Sequence, residues 1–120
     1  MMAPKKNIRD IPDELIHNAT THRKRLISHD ETHKGDIATM NHAWLEPGKQ
    51  LELHTHPDGE EFYFFLEGTG QILVGTEWLP VEPGDFVTIP VSFTHSLKNT
   101  GGINLIFLTI RTLDRIPPRV

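Results

Sequence analysis

Between residues 35 and 112 short apolar runs alternate with turn residues, and no stretch holds the 3.6-residue period of an amphipathic helix. The runs fall at 37–45, 51–56, 61–66, 71–74, 86–89, 95–98 and 104–112, and they are rich in Val, Ile, Leu, Phe and Thr. Gly/Pro/Asx clusters punctuate them, among them Glu46-Pro47-Gly48, Pro57-Asp58-Gly59, Glu67-Gly68-Thr69-Gly70 and Glu82-Pro83-Gly84-Asp85. Short strands separated by such turns predict an all-β body, a sandwich or barrel of antiparallel strands. The N-terminal part reads differently. Asp10 as a cap and Pro12 near a first helical position predict a short helical turn within 7–18. The charged stretch 22–27, HRKRLI, predicts an edge strand. At the other end, Pro117 and Pro118 cannot donate to a ladder and should leave the sheet. The chain is 120 residues long, enough for one core and not two. The expected organisation is an extension over 1–34, a barrel over 35–114 and a tail over 115–120.

Chemistry concentrates in one of these runs. His54 and His56 are two apart, so on a strand both imidazoles project from the same side. A Pro57-Asp58-Gly59 turn then leads to Glu60 and Glu61 at the start of the next run, which can set a carboxylate beside the imidazoles. Alternation does not choose the inward face. Glu61, Tyr63 and Phe65 share one side, while Phe62, Phe64 and Leu66 make an equally apolar other side. His95 is the distant residue expected to return to this pair. Of the other histidines, His17, His22, His29 and His33 read as solvated, and His42 is the one to watch because it lies in a strand. Parity offers Tyr63, Phe65, Met40, His42, Ile72 and Phe93 as pocket walls, and His42 or Glu52 as a general base if turned inward. No residue is assigned a catalytic role. Trp44, Trp78 and the 62–65 cluster read as core or dimer interface.

These residues also carry a resemblance. Gly48, His54, His56, Glu61 and Gly68 match the first motif of the cupin superfamily without departure: glycine, five residues, His-x-His, three or four residues, Glu, six residues, glycine. Gly84, Pro90, His95 and Asn99 match the second motif, with Ser92 where the family has glycine. That departure should be harmless unless the turn needs a positive φ, in which case it should distort the loop beside His95. Fifteen residues lie between the motifs, which looks like the spacer of small single-domain cupins. The resemblance implies a jelly-roll double-stranded β-helix with His54, His56, Glu61 and His95 as ligands of one divalent transition metal, and with Asn99 in a structural position. Glu60 is the competing carboxylate. Three imidazoles and a carboxylate leave two positions of an octahedral ion open. Mn or Fe is favoured, with Ni, Zn, Co or Cu also compatible with this donor set. The activities implied are those of a dioxygenase or decarboxylase acting on a small oxygen-rich metabolite. A sugar isomerase or lyase, or a non-catalytic metal or ligand binding module, are the alternatives. Cupins of this kind are commonly homodimers.

Composition narrows the rest. With no cysteine, thiolate sites and disulfides are unavailable, and a reducing cytoplasm is the expected setting. The formal net charge of −4 is spread so that basic residues outnumber acidic ones only over 1–34, which argues against a nucleic-acid surface on the barrel. No apolar run is long enough to cross a membrane as a helix. A small-molecule substrate is the expected partner.

Overall fold

In the computed structural model, which describes residues 5–27 and 36–113, every long element is a strand. They are β1 (Glu14–Ile16), β2 (Thr21–Ile27), β3 (Ile37–Leu45), β4 (Glu61–Glu67), β5 (Gly70–Val74), β6 (Glu77–Val81), β7 (Phe86–Ile89), β8 (His95–Asn99) and β9 (Leu105–Thr112). One sheet has the order β1-β2-β3-β9-β4-β7 and the other β6-β5-β8, with antiparallel neighbours throughout. The last strand lies between β3 and β4, so the chain closes on itself as a jelly roll.

The inward face of the large sheet changes character along its strands. At one end Leu45, Phe65, Leu105 and Phe107 are completely buried against Ile72 and Leu97 of the small sheet. Toward the other end the inward positions become Asn41 and Thr39 on β3, Thr109 and Arg111 on β9, and Glu61 on β4. The dry end supplies cohesion, and burial of each large side chain there contributes roughly 1.5–3 kcal/mol. Asn99 staples that end. Its Nδ2 donates to the carbonyls of Leu45 and Ile103, both at 2.8 Å, and its Oδ1 accepts from Gly101 N at 2.8 Å, which bears out the structural reading of this position.

Segment 51–56 is not the regular strand expected. It touches β8 through isolated bridges, Gln50 to Lys98 and His54 to His95. Four residues on one side span three on the other, so one residue is extra, as in a β-bulge. The bulge breaks the period of two. Leu51 is buried and Leu53 is 62% exposed although they share parity, and both histidines after the bulge face inward with Leu51.

Three other elements also differ from expectation. The helical turn is a single 3-10 turn, Ile8–Asp10, capped by Asn7 rather than Asp10, and the rest of that segment forms β1. β2 is not an edge, because β1 pairs along its outer side and Glu14 of β1 binds Arg25 of β2 at 2.6 Å. β6 was unexpected because Pro80 interrupts it. It lies at the edge of its sheet, where a missing N–H costs no ladder bond. The tail beyond 113, segment 28–35, and with it His29 and His33, lie outside the described residues.

Candidate metal centre

The bulge, β4 and β8 bring four side chains to one point. His54, His56, Glu61 and His95 each offer one ligand atom, and these atoms lie within 4.8 Å of one another. His95 Nε2 is 3.2 Å from Glu61 Oε1, and His56 Nε2 is 3.7 Å from Glu61 Oε2. Burial separates the two candidate carboxylates. Glu61, Tyr63 and Phe65 point inward, while Glu60 is exposed before the strand begins. The donors are three imidazole nitrogens and one carboxylate oxygen, all close enough to share an ion, so the set fits a divalent transition metal.

The electrostatics suit such an ion. Burial lowers the pKa values of His54 and His56, which favours their neutral forms. Burial alone would raise Glu61, but hydrogen bonding and charge from His95, charge from His56 and a hydrogen bond from Tyr63 outweigh it, and the carboxyl stays below its usual range. Backbone carbonyls orient two of the rings: Nδ1 of His54 faces Glu52 O at 2.8 Å, and Nδ1 of His95 faces Phe93 O at 3.2 Å. Donation from Nδ1 leaves Nε2 as the atom each ring would offer to an ion. His56 is different. Arg111 Nη1 donates to its Nδ1 at 3.0 Å, and a guanidinium cannot accept in return. An ion on His56 Nε2 needs the ring proton on Nδ1, so filling the site requires Arg111 to give up this bond.

Beside the four donors lies a cavity of about 250 Å³ whose walls include Leu51, Tyr63 and Phe107 below and Thr39, Asn41, Thr109 and Arg111 around. The extension completes it with Ile16, His17, Thr21 and Arg23. His17 was expected in solvent, yet its ring lies 4.6 Å from that of His54. It is held by three successive non-glycine residues in the left-handed region, His17, Asn18 and Ala19, at φ of 52°, 59° and 60°. Thr20 N and Oγ1 close the turn on His17 O. Asn18 tolerates positive φ, but nothing in the sequence marks a run of three non-glycine residues there.

The other parity guesses divide. Tyr63 lines the cavity, but Phe65 and Ile72 are dry core below it. His42 and Met40 point to the outer face, where His42 sits opposite Lys24 and near Trp44. The side chain of Glu52 is exposed and only its carbonyl serves the site. Phe93 is 45% exposed over Gly75 rather than in the cavity. Trp44 stacks on His22, which is held between Asp13 and Glu46.

Ser92 does adopt positive φ, 66°, in the loop that carries His95, and its N–H donates to His56 O at 3.0 Å. The loop keeps its shape and stores the strain at the serine. Ser92→Gly should therefore raise stability by about 0.5–1 kcal/mol in urea melts, the left-handed cost less the added chain entropy. A decrease would show that the serine is unstrained.

Three histidines set a pH dependence. Burial, with the nearby His54 adding to it, lowers His17 to about 4, and burial also lowers His54 and His56. The unfolded chain takes up these protons near about 6.5, the folded one only below it, so stability present above that pH is lost as pH falls. His22 acts oppositely: burial lowers it, but Glu46 and Asp13 raise it more, so its contribution exists at low pH and fades as pH rises. It is near the surface and screened, so the cavity histidines dominate. The melting temperature of metal-free protein should fall by several degrees, on the order of 5 °C, between pH 7.5 and pH 5. A flat profile by calorimetry would contradict the burial of these rings.

Comparison with known proteins follows the same outline. Among curated relatives, a glucose-6-phosphate isomerase of Thermococcus gammatolerans is 39% identical over 66 residues, covering 51% of this chain and 35% of that protein. An oxalate-binding protein of Thermotoga maritima is 33% identical over 66 residues, covering 55% of this chain and 54% of that protein. The chain thus spans about a third of the first and about half of the second. Among solved structures, a predicted oxalate decarboxylase from Thermotoga maritima superposes with a TM-score of 0.83 at 27% identity, covering 89% of this chain and 96% of that one. The family model described as the cupin domain matches residues 41–111, from inward-facing Asn41 on β3 to Arg111 on β9. A match over more than half of its length makes this chain a member of the cupin domain family.

Proposed function

We propose that this protein is a mononuclear metal-dependent enzyme of the dioxygenase or decarboxylase type, acting on a small oxygen-rich acid. The observation that carries the reading is that two of the four clustered donors, His56 and Glu61, line the cavity, so an ion held there would face it. His54, His56, Glu61 and His95 would hold the ion, and Mn or Fe suits a set of imidazoles with one carboxylate. A bound divalent ion supplies Lewis acidity toward an oxygen of the substrate. The chain's own residues do the rest. Leu51, Tyr63 and Phe107 exclude water from the inner wall, Glu61 stays ionised, and Thr39, Asn41 and Thr109 offer hydrogen bonds around the substrate. The names of the Thermotoga relatives support an oxalate-like substrate class. Identity to the isomerases over half of this chain favours a second reading, isomerisation of a sugar phosphate.

The test is elemental analysis of untagged protein, followed by CO2 release and O2 uptake on a panel of small oxo-acids with and without a chelator, and a glucose 6-phosphate isomerisation arm. About one metal per chain, lost in Glu61→Gln, together with chelator-reversible turnover of an acid is expected. Metal without turnover of any panel member would leave a binding module, and isomerisation alone would favour the second reading.

We also propose that the outer face of the large sheet pairs with a second copy. Phe62, Phe64, Leu108 and Ile110 stand side by side there, Phe62 stacks on Phe86 at 5.8 Å, and Phe86 is 60% exposed. Light scattering should give twice the chain mass, and Phe64→Glu should halve it. A monomer at micromolar concentration would refute the pairing.

A further inference from the structure

The cavity has a second end. Arg111 sits beside the donor cluster through His56, while Arg23 enters from β2 near Ile16 and His17. Through their pairing partners on β3, Thr39 and Ala43, the two arginines are rooted four residues apart along the sheet, about 13 Å. The register therefore attaches the two side chains at different levels of the sheet. Both guanidinium groups are underused. The Nε atoms of Arg23 and Arg111 are buried with no hydrogen-bond partner among the described residues, and so is Oδ1 of Asn41, a residue only 8% exposed, on the wall between them. Glu14 forms an ion pair with Arg23 Nε at 3.8 Å, too long for a hydrogen bond, while its oxygens accept from Arg25 at 2.6 and 2.8 Å. Buried polar atoms left unpaired are destabilising, and a ligand that pairs them recovers that cost. The space matters too. About 250 Å³ is the volume of roughly eight waters, more than a two-carbon diacid fills.

We infer that Arg23 is a specificity-determining residue: it binds a second anionic group, carboxylate or phosphate, at the end of the substrate remote from the four donors. The substrate is therefore an elongated dianion of about four to six carbons, or a phosphorylated acid of similar length. One end meets the donor cluster and Arg111, and the other meets Arg23, whose planar fork suits an oxyanion. This inference rests on the functional reading above for the first end only. The second end belongs to the N-terminal extension, outside the matched family segment at 41–111.

The experiment is calorimetric titration of the Mn2+-loaded and the chelator-treated chain with succinate, glutarate and phosphoglycolate, and with succinamate and butyrate as analogues lacking the second charge. Succinate or glutarate should bind about tenfold tighter than succinamate. Arg23→Gln should abolish that preference while leaving Mn2+ content unchanged, and Arg23→Lys should restore part of it. If phosphoglycolate alone shows the Arg23-dependent preference, the remote group is a phosphate and the inference holds. Equal binding of succinate, phosphoglycolate and the singly charged analogues by the unaltered chain overturns it, whether or not the variants fold. So does a preference that persists in Arg23→Gln. Failure to take up Mn2+ would sink the enzymatic reading instead, because the preference is measured on the metal-free chain as well.

Discussion

A carboxylate withdrawn from water at the head of an otherwise apolar strand is the constraint around which this molecule is arranged. The Glu61 side chain is 12% exposed, and an ionised group so placed is stable only beside partners that answer its charge. Its neighbours on the inward face, Tyr63 and Phe65, are held in the core, so β4 cannot rotate or slip to release it. His95 and His56 must then be where they are. β8 delivers His95 directly, and the bulge after Leu51 delivers the His54–His56 pair by shifting the parity of its segment. Packing at the dry end and charge at the wet end thus select the same register.

Much of this was legible before any coordinates. The spacing of His54, His56, Glu61 and His95 against glycines and a proline specified the cluster, since alternation and turn chemistry leave few ways to satisfy all of them. The choice between Glu60 and Glu61 was less open than the pattern of β4 suggested, but only tertiary contact showed which of its two apolar faces was inside. β6 stayed hidden because Pro80 argues against a strand unless the strand is known to be an edge. His17 was unreadable for a deeper reason. Its position depends on a left-handed turn made without glycine, and such a turn is imposed by the packing of β1 and β2, not by local preference.

That turn ties the extension to the centre. Each non-glycine residue in the left-handed region costs on the order of 1–2 kcal/mol, and three in succession are kept only because the ladder of β1 on β2 and the Thr20 hydrogen bonds hold them. The extension is therefore part of the cavity wall, supplying Arg23, Thr21 and His17 to a space whose floor is built by the barrel. Ser92, whose N–H donates to His56 O, is strained in the same sense. Strain beside the donor cluster is the distribution expected where a binding site is shaped against local preference.

The link from His56 to Glu61 also decides how the gene can change in length. Gly59 lies tight against the backbone of Thr112, and only four residues join the two donors, so this stretch has no slack. Losing one codon there would draw β4 back by a single position and turn an aromatic ring, Phe62, toward the imidazoles while the acid swung outward. Such a reading frame would still encode an alternating apolar strand and could still fold. A deletion of that size would thus convert a charged centre into a greasy one in a single evolutionary step, whereas the turns at Gly48 and Gly84 have room for a side chain and resist one only through their positive φ of 79° and 93°.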